Sequence, residues 1–139
     1  MADSLRDFLS SPTSVAGGAK TESPIEAMFH RAFLMLACME RVGSGKDMNI
    51  FVSAQEQVGP YRCDFALKRH DRTVLVECDG HDFHERTKEQ AARDRSRDRN
   101  LVADGFIVLR FTGSEIWANP FACAQQALDV LMDRATPYA

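Results

Sequence analysis

Two β-forming runs separated by a short polar segment constrain the fold of this chain more than any other feature. Residues 61–67 (YRCDFAL) alternate between polar and apolar side chains, and residues 73–79 (TVLVECD) are rich in β-branched residues. Such runs predict an antiparallel hairpin. The polar residues 69–72 form its predicted loop, so that Lys68 faces Thr73.

This register brings acidic side chains together on one face of the hairpin. It places Asp64 opposite Glu77 and Arg62 opposite Asp79. Paired residues point to the same face, and strand side chains alternate, so Asp64, Glu77 and Asp79 are predicted to converge. The opposite face is predicted to be core and comprises Tyr61, Cys63, Phe65, Leu67, Val74, Val76 and Cys78.

Three converging carboxylates need positive charge between them. Like charges facing each other on a sheet are destabilising, with pair terms of roughly 0.2–1 kcal/mol. Oxygen ligands at this density suit Mg²⁺ or Mn²⁺, which bind one or two carboxylates and complete their shell with water and phosphate. The alternative is that Arg62 and Lys68 neutralise the cluster as a surface ion network.

The elements around the hairpin predict an α/β sandwich built on one mixed sheet, in the order α-β-β-β-α-β-α. Helices are predicted at about 24–41, 85–104 and 120–134, and further strands at about 49–58 and 106–111. Residues 1–22 are predicted to be a flexible arm and residues 23–139 a single domain. A length of 139 residues with 45% hydrophobic side chains is enough for one core.

The charge distribution limits how the chain could contact nucleic acid. A net charge of −3 argues against binding of nucleic acid by electrostatic attraction over the whole protein surface. Residues 86–99 carry six basic side chains against three acidic ones, and phosphate contacts are the natural use of such a helix. A solvated helix face held by ion pairs is the alternative. The predicted DNA-binding residues are Arg86, Lys88, Arg93 and Arg97.

Cysteine usage and hydropathy indicate a reducing compartment. The four cysteines form no CxxC pair, which favours buried thiols over a zinc site. No apolar run of 18 residues and no signal-peptide pattern is present. These patterns predict a cytoplasmic protein that does not interact with membranes.

Two further residues are candidates for the same site. His84 closes the segment Gly80-His-Asp-Phe-His that follows the acidic strand, where it could transfer a proton or contact a metal-bound water. Isolated histidines are, however, usually structural. Glu26 lies three residues after Ser23, and a capping box already explains it.

Taken in order, four motifs resemble one family of nucleases, the endonuclease-domain family related to very short patch repair endonucleases, within the PD-(D/E)XK superfamily. The resemblance covers residues 23 to about 120. The motifs are Arg62-Cys-Asp64-Phe, Val76-Glu77-Cys-Asp79-Gly80 with His84, Arg93-Asp94 with Arg97-Asp98, and Gly105 to Phe111.

The resemblance implies a restriction-endonuclease-like core and Mg²⁺-dependent hydrolysis of DNA phosphodiester bonds. Asp64 matches the metal-binding aspartate, and Glu77 matches the second acid of the signature. The superfamily has lysine where this chain has Asp79, although the related domain family also has aspartate there. Lys88, Arg93 or His84 would then have to substitute for that lysine. The remaining matches are His84 with a downstream histidine, Glu26 with a first-helix glutamate, and Asp94 with a helix aspartate.

Other classes of function stay open at this stage. One is a nuclease-fold module that has lost catalysis and binds DNA or another protein, which the missing lysine favours. Another is a purely structural or regulatory domain that binds neither metal nor DNA. For the nuclease, the expected partners are DNA and either a second copy of the chain or a separate recognition protein. No organic cofactor is expected.

Overall fold

The computed structural model describes residues 23–80 and 87–134. Its elements confirm the predicted α/β order in a mixed four-stranded sheet flanked by helices, and one short helix, α3, is additional. They are α1 Pro24–Ser44, β1 Ile50–Val58, β2 Tyr61–Arg69, β3 Arg72–Asp79, α2 Lys88–Ala103, β4 Ile107–Thr112, α3 Gly113–Ala118 and α4 Pro120–Leu131. The predicted arm at residues 1–22 lies outside the described residues.

The sheet has the strand order β1-β2-β3-β4. Strands β1, β2 and β3 form an antiparallel meander, whereas β4 runs parallel to β3. A parallel neighbour requires a crossover connection, and α2 lies in the segment that makes it. The carboxyl ends of β3 and β4 therefore lie side by side, with Asp79 next to Thr112.

The hairpin of β2 and β3 has the predicted register from Phe65 to the turn, but the turn is shorter, and the predicted pairs of Asp64 with Glu77 and of Arg62 with Asp79 are not formed. Lys68 pairs with Thr73 as predicted, but Arg69 also pairs with Arg72. The predicted loop of residues 69–72 is therefore wrong by one pair, and the turn consists of His70 and Asp71. Such tight turns need a left-handed residue, and His70 has a φ of 56°.

The main core lies between the sheet and the helices α1 and α4. Phe29 of α1 is its centre, with ring centroids 5.4 Å from Phe65, 5.8 Å from Phe111 and 6.1 Å from Phe33. A smaller cluster beneath α2, on the other side of the sheet, contains Cys63, Ala66, Leu75 and Leu101, with Tyr61 packed against it.

The predicted core face of β2 is therefore wrong for two of its residues. Phe65 and Leu67 point into the main core, but Tyr61 and Cys63 belong to the cluster beneath α2. Strict alternation fails at the residue between them, Asp64. Alternation holds only along a regular strand, and the pairing of β1 with β2 is interrupted at Asp64, between the pairs Ala54–Phe65 and Glu56–Cys63.

The ends of the helices follow the capping residues. Ser23 caps α1, and Gly45 ends it with a φ of 68°. Thr87 and Gln90 form a capping box that starts α2 at Lys88, later than predicted. The four cysteines carry free thiols, and Cys38 is exposed. No described helix is both long enough and apolar enough to cross a membrane.

Candidate active site

The strands β2 and β3 part at Asp64. Paired residues run from the turn to Phe65 and Val76, where the ladder ends. Beyond this point the Oδ2 atom of Asp64 accepts a hydrogen bond of 2.7 Å from the backbone N–H of Cys78. A side-chain carboxylate thus takes the place of a main-chain acceptor, which turns Asp64 towards the strand that carries Glu77.

Glu77 is a buried carboxylate beside Asp64. Only 8% of its surface is exposed. Burial, followed by the charge of Asp64 and a hydrogen bond with it, raises the pKa of Glu77 to about 7, although Arg97 acts in the opposite direction. Two acids forced together in this way favour a bound proton or a bound cation.

Arg97 of α2 is the cation that contacts Glu77. Its Nη2 atom donates to the Oε1 atom of Glu77, and also to the carbonyl oxygen of Arg62 at 2.8 Å and the Sγ atom of Cys63 at 3.3 Å. Its guanidinium lies 5.6 Å from the ring centroid of Tyr61. Sequence reasoning assigned Arg97 to DNA phosphates and missed this contact, which depends on where α2 crosses the sheet.

Asp79 has a different arginine partner. Arg110 of β4 donates through Nη1 to both carboxylate oxygens of Asp79, at 3.2 and 3.4 Å. Its Nε and Nη2 atoms donate to Asp98 of α2 at 2.7 and 2.9 Å. Burial lowers the pKa of Arg110, but hydrogen bonds and charge from Asp98, with the charge of Asp79, raise it overall. This ion-pair network joins α2 to the sheet.

Glu26 reaches the site from α1. It is 5% exposed, and its Oε1 atom accepts a hydrogen bond of 2.7 Å from the Nε2 atom of Gln55 in β1. Gln55 has a φ of 53°, and its neighbours Ala54 and Glu56 pair with the residues on either side of Asp64. A left-handed residue inside a strand is strained, and such strain is concentrated at functional sites. No pattern in the sequence indicated a role for Gln55.

Four of the predicted acids lie around the partly buried thiol of Cys78. The pKa of Cys78 is raised well above its usual value by burial, and then by the charges of four carboxylates. These belong to Asp64, Glu26, Glu77 and Asp79. The structure therefore brings the predicted acids into one region, from the first turn of α1, the middle of β2 and the end of β3.

The close approach of α3 helps to shape this region. A Cβ atom on Gly113 would lie 3.2 Å from the carbonyl oxygen of Asp79 and 3.3 Å from the side chain of Ile25. A glycine therefore lets the start of α3 pack against the end of β3.

The carboxylates of Asp64 and Glu77 suit a metal ion as a pair of oxygen ligands. Within residues 23–80 and 87–134, no group of three or more His, Cys, Asp or Glu side chains is arranged to hold one ion. Asp64 and Glu77 lie side by side, and Arg97 donates to one oxygen of Glu77, whereas both oxygens of Asp79 accept from Arg110. Magnesium commonly uses one or two carboxylates and takes its other ligands from water and phosphate. The Asp64–Glu77 pair meets that requirement.

The remaining predicted residues are spread along α2 or lie beyond the described chain. Lys88 and Arg93 are exposed on α2, and Asp94 is half-buried there. His84 and Arg86 fall in residues 81–86, outside the part that the structure describes. The functions assigned to all of these residues stay predictions.

Comparison with known proteins supports the nuclease-like character of this fold. The model of the restriction-endonuclease-like family REase_MTES_1575 matches residues 45–131, more than half of the chain. The chain belongs to this family. The REase_MTES_1575 match runs from before β1 to the end of α4, so it includes Asp64, Glu77 and Asp79 but not Glu26. No curated protein and no solved structure matches the chain.

A buried histidine behind the site is expected to make this REase_MTES_1575 domain less stable in acid. His30 of α1 is 2% exposed and stacks on Phe65 at 5.4 Å. Burial, followed by the charge of Arg31, lowers the pKa of His30 below 6.5. The unfolded chain then binds the extra proton more readily, so the stability that neutral His30 provides is lost as pH falls below about 6.5.

We expect His30→Gln to reduce this loss of stability. Urea unfolding at pH 7.5 and 5.5 measures it as the change in unfolding free energy between the two conditions. His70→Asn, in the exposed hairpin turn, is the matched control and should keep the wild-type change. An identical change in His30→Gln and wild type would show that His30 does not contribute.

Proposed function

We propose that this chain is a metal-dependent DNA endonuclease that hydrolyses phosphodiester bonds, with Asp64 and Glu77 as ligands of Mg²⁺ or Mn²⁺. One observation carries the proposal: a buried Glu77 contacts Asp64 where two strands of a nuclease-like sheet part. Burying two acids side by side is unfavourable without a cation. A metal ion would add positive charge there, beyond the one guanidinium, that of Arg97, which already contacts Glu77.

The other acids surround this pair from neighbouring elements. When bound, the divalent cation would polarise the scissile phosphate and lower the pKa of the attacking water. Glu26, held by Gln55, would orient a water molecule or a second cation. Asp79 is the third proposed acid, and Arg110 fixes its direction. His84 is the proposed group for moving the proton.

The basic helix supplies the proposed contacts to DNA. Lys88 and Arg93 are exposed on α2, where they would hold backbone phosphates. Arg86 and Arg97 complete the proposed set. One site cuts one strand, so cutting both strands would need a homodimer, two events or a separate recognition protein. A relationship to very short patch repair endonucleases is proposed from the motifs, without specificity for mismatches.

A second candidate function has an observation in its favour. Arg97 and Arg110 already neutralise Glu77 and Asp79, and Asp79 stands where the superfamily has lysine. A nuclease-fold module that binds DNA or a protein without cutting would keep such ion pairs. It would retain DNA or metal affinity without turnover.

We expect the wild-type protein to cut DNA only when a divalent cation is present. The substrates are supercoiled plasmid and branched, mismatched and single-stranded oligonucleotides, with Mg²⁺ or Mn²⁺ and with EDTA. Asp64→Asn removes one proposed ligand and should slow cutting by about 100-fold or more. Asp71→Asn makes the same change at the other end of the hairpin, in the exposed turn, and should cut at the wild-type rate.

Two results would contradict this function. Full activity in Asp64→Asn would remove Asp64 from the site. Metal binding without cutting, on every substrate, would favour the inactive binding module.

A further inference from the structure

The contact between Arg97 and Glu77 occupies an oxygen that a metal ion would need. The Nη2 atom of Arg97 donates to Glu77, to the carbonyl oxygen of Arg62 and to the thiol of Cys63. A divalent cation and this guanidinium would draw on the same carboxylate, and they repel each other as like charges. Arg97 and the metal therefore compete for Glu77.

Arg97 is also held by groups that do not depend on Glu77. The carbonyl oxygen of Arg62 and the thiol of Cys63 remain as acceptors, and the ring of Tyr61 lies 5.6 Å from the guanidinium. Asn100, one turn further along α2, donates to the hydroxyl of Tyr61 at 2.9 Å. These contacts would keep Arg97 beside the carboxylate pair after Glu77 turned to another cation.

A guanidinium in that position would then need a new anion. The Arg97 side chain is only 17% exposed, and a partly buried charge without a partner is costly. The nearest anion in a complex with DNA would be the phosphate at the carboxylate pair. Arginine forms strong, directional hydrogen bonds with phosphate oxygens.

We propose that Arg97 performs the function of the missing motif lysine. It is the counter-ion of Glu77 in the metal-free protein, and it stabilises negative charge on the scissile phosphate once Glu77 binds the cation. This inference rests on the proposed function. In the hydrolysis, the water oxygen bonds to phosphorus, the bond to the leaving deoxyribose oxygen breaks, and a water proton ends on that oxygen. Arg97 stays charged throughout and transfers no proton.

The test measures metal affinity and cutting separately in the full chain. Electron paramagnetic resonance of free Mn²⁺ gives the affinity of the DNA-free protein. We expect Arg97→Met to bind Mn²⁺ about 10-fold more tightly, because the competitor is gone. At saturating Mn²⁺ it should cut about 100-fold more slowly, because a charge-stabilising donor is gone. Arg95→Met, on an exposed position of α2, should leave Mn²⁺ affinity unchanged.

The opposite signs of the two effects distinguish this function from a structural one. Unchanged or weaker Mn²⁺ binding by folded Arg97→Met would overturn the inference, and so would an unchanged cutting rate. If circular dichroism shows that Arg97→Met is unfolded, Arg97→Lys replaces it and should shift both quantities in the same directions by smaller factors. A wild type that binds Mn²⁺ but cuts nothing would refute the proposed function, while tighter binding by Arg97→Met would still support the counter-ion function.

Discussion

Replacing Glu77 with glutamine is expected to abolish cutting and, at the same time, to stabilise the metal-free protein at pH 8. The pKa of Glu77 is raised to about 7 in the folded chain, above its ordinary value of 4.5. The folded state therefore binds the proton more tightly, and stability present below about pH 4.5 is lost as pH rises through 7. Glutamine resembles the protonated acid and avoids that loss, which amounts to roughly 3 kcal/mol at most.

With a divalent cation bound, the wild type should be more stable than Glu77→Gln, which is the reverse of the order expected in the metal-free protein. Thermal unfolding at pH 8 is expected to show a higher Tm for Glu77→Gln than for wild type in EDTA. Added Mg²⁺ or Mn²⁺ should raise the Tm of wild type only, because binding to the folded state is lost with the ligand.

A control variant tests whether these effects are specific to Glu77 or are shared by acids elsewhere on the sheet. Glu56 of β1 forms an ion pair with Lys68 at 3.0 Å and is partly exposed. Glu56→Gln should cost less than about 1 kcal/mol and keep both cutting and metal stabilisation. Equal unfolding free energies of Glu77→Gln and wild type from pH 5 to pH 8 would show that the buried charge of Glu77 does not destabilise the fold.

Replacing Arg110 with methionine is expected to destabilise the fold by about 3 kcal/mol. Arg110 donates hydrogen bonds to both Asp98 and Asp79, and its loss would remove the cation that these two partly buried carboxylates share. Breaking a buried ion pair from one side is far more costly than replacing all of its members. Urea unfolding of the variant measures the effect.

The second variant in this test is designed to restore stability. Asp98→Asn removes one of the two carboxylates, so Arg110→Met combined with Asp98→Asn should recover about half of the lost free energy. The double-mutant cycle gives the coupling between these residues directly. Additive losses would show that the Arg110 network contributes nothing beyond the individual side chains.

Local chemistry in the sequence was sufficient to predict the elements and the proximity of several acids. Ser23, Pro24 and Glu26 indicated the start of α1, and the two β-forming runs on either side of a short polar segment indicated the hairpin and its register near the turn. These features depend on residues within a few positions of one another. The extra pair at Arg69 and Arg72 was missed because polar residues are compatible with either a strand end or a loop.

The sequence by itself determined that Asp64, Glu77 and Asp79 lie near one another, because Glu77 and Asp79 share a strand face and Asp64 lies on the partner strand. Only the tertiary structure decided how each acid is used. Arg97, Arg110 and Gln55 reach the acids from separate elements, and no local pattern fixes which side chain a crossing helix or an adjacent strand presents. The separation of β2 from β3 at Asp64 is likewise decided by the assembled sheet, because it depends on packing against both faces of the sheet.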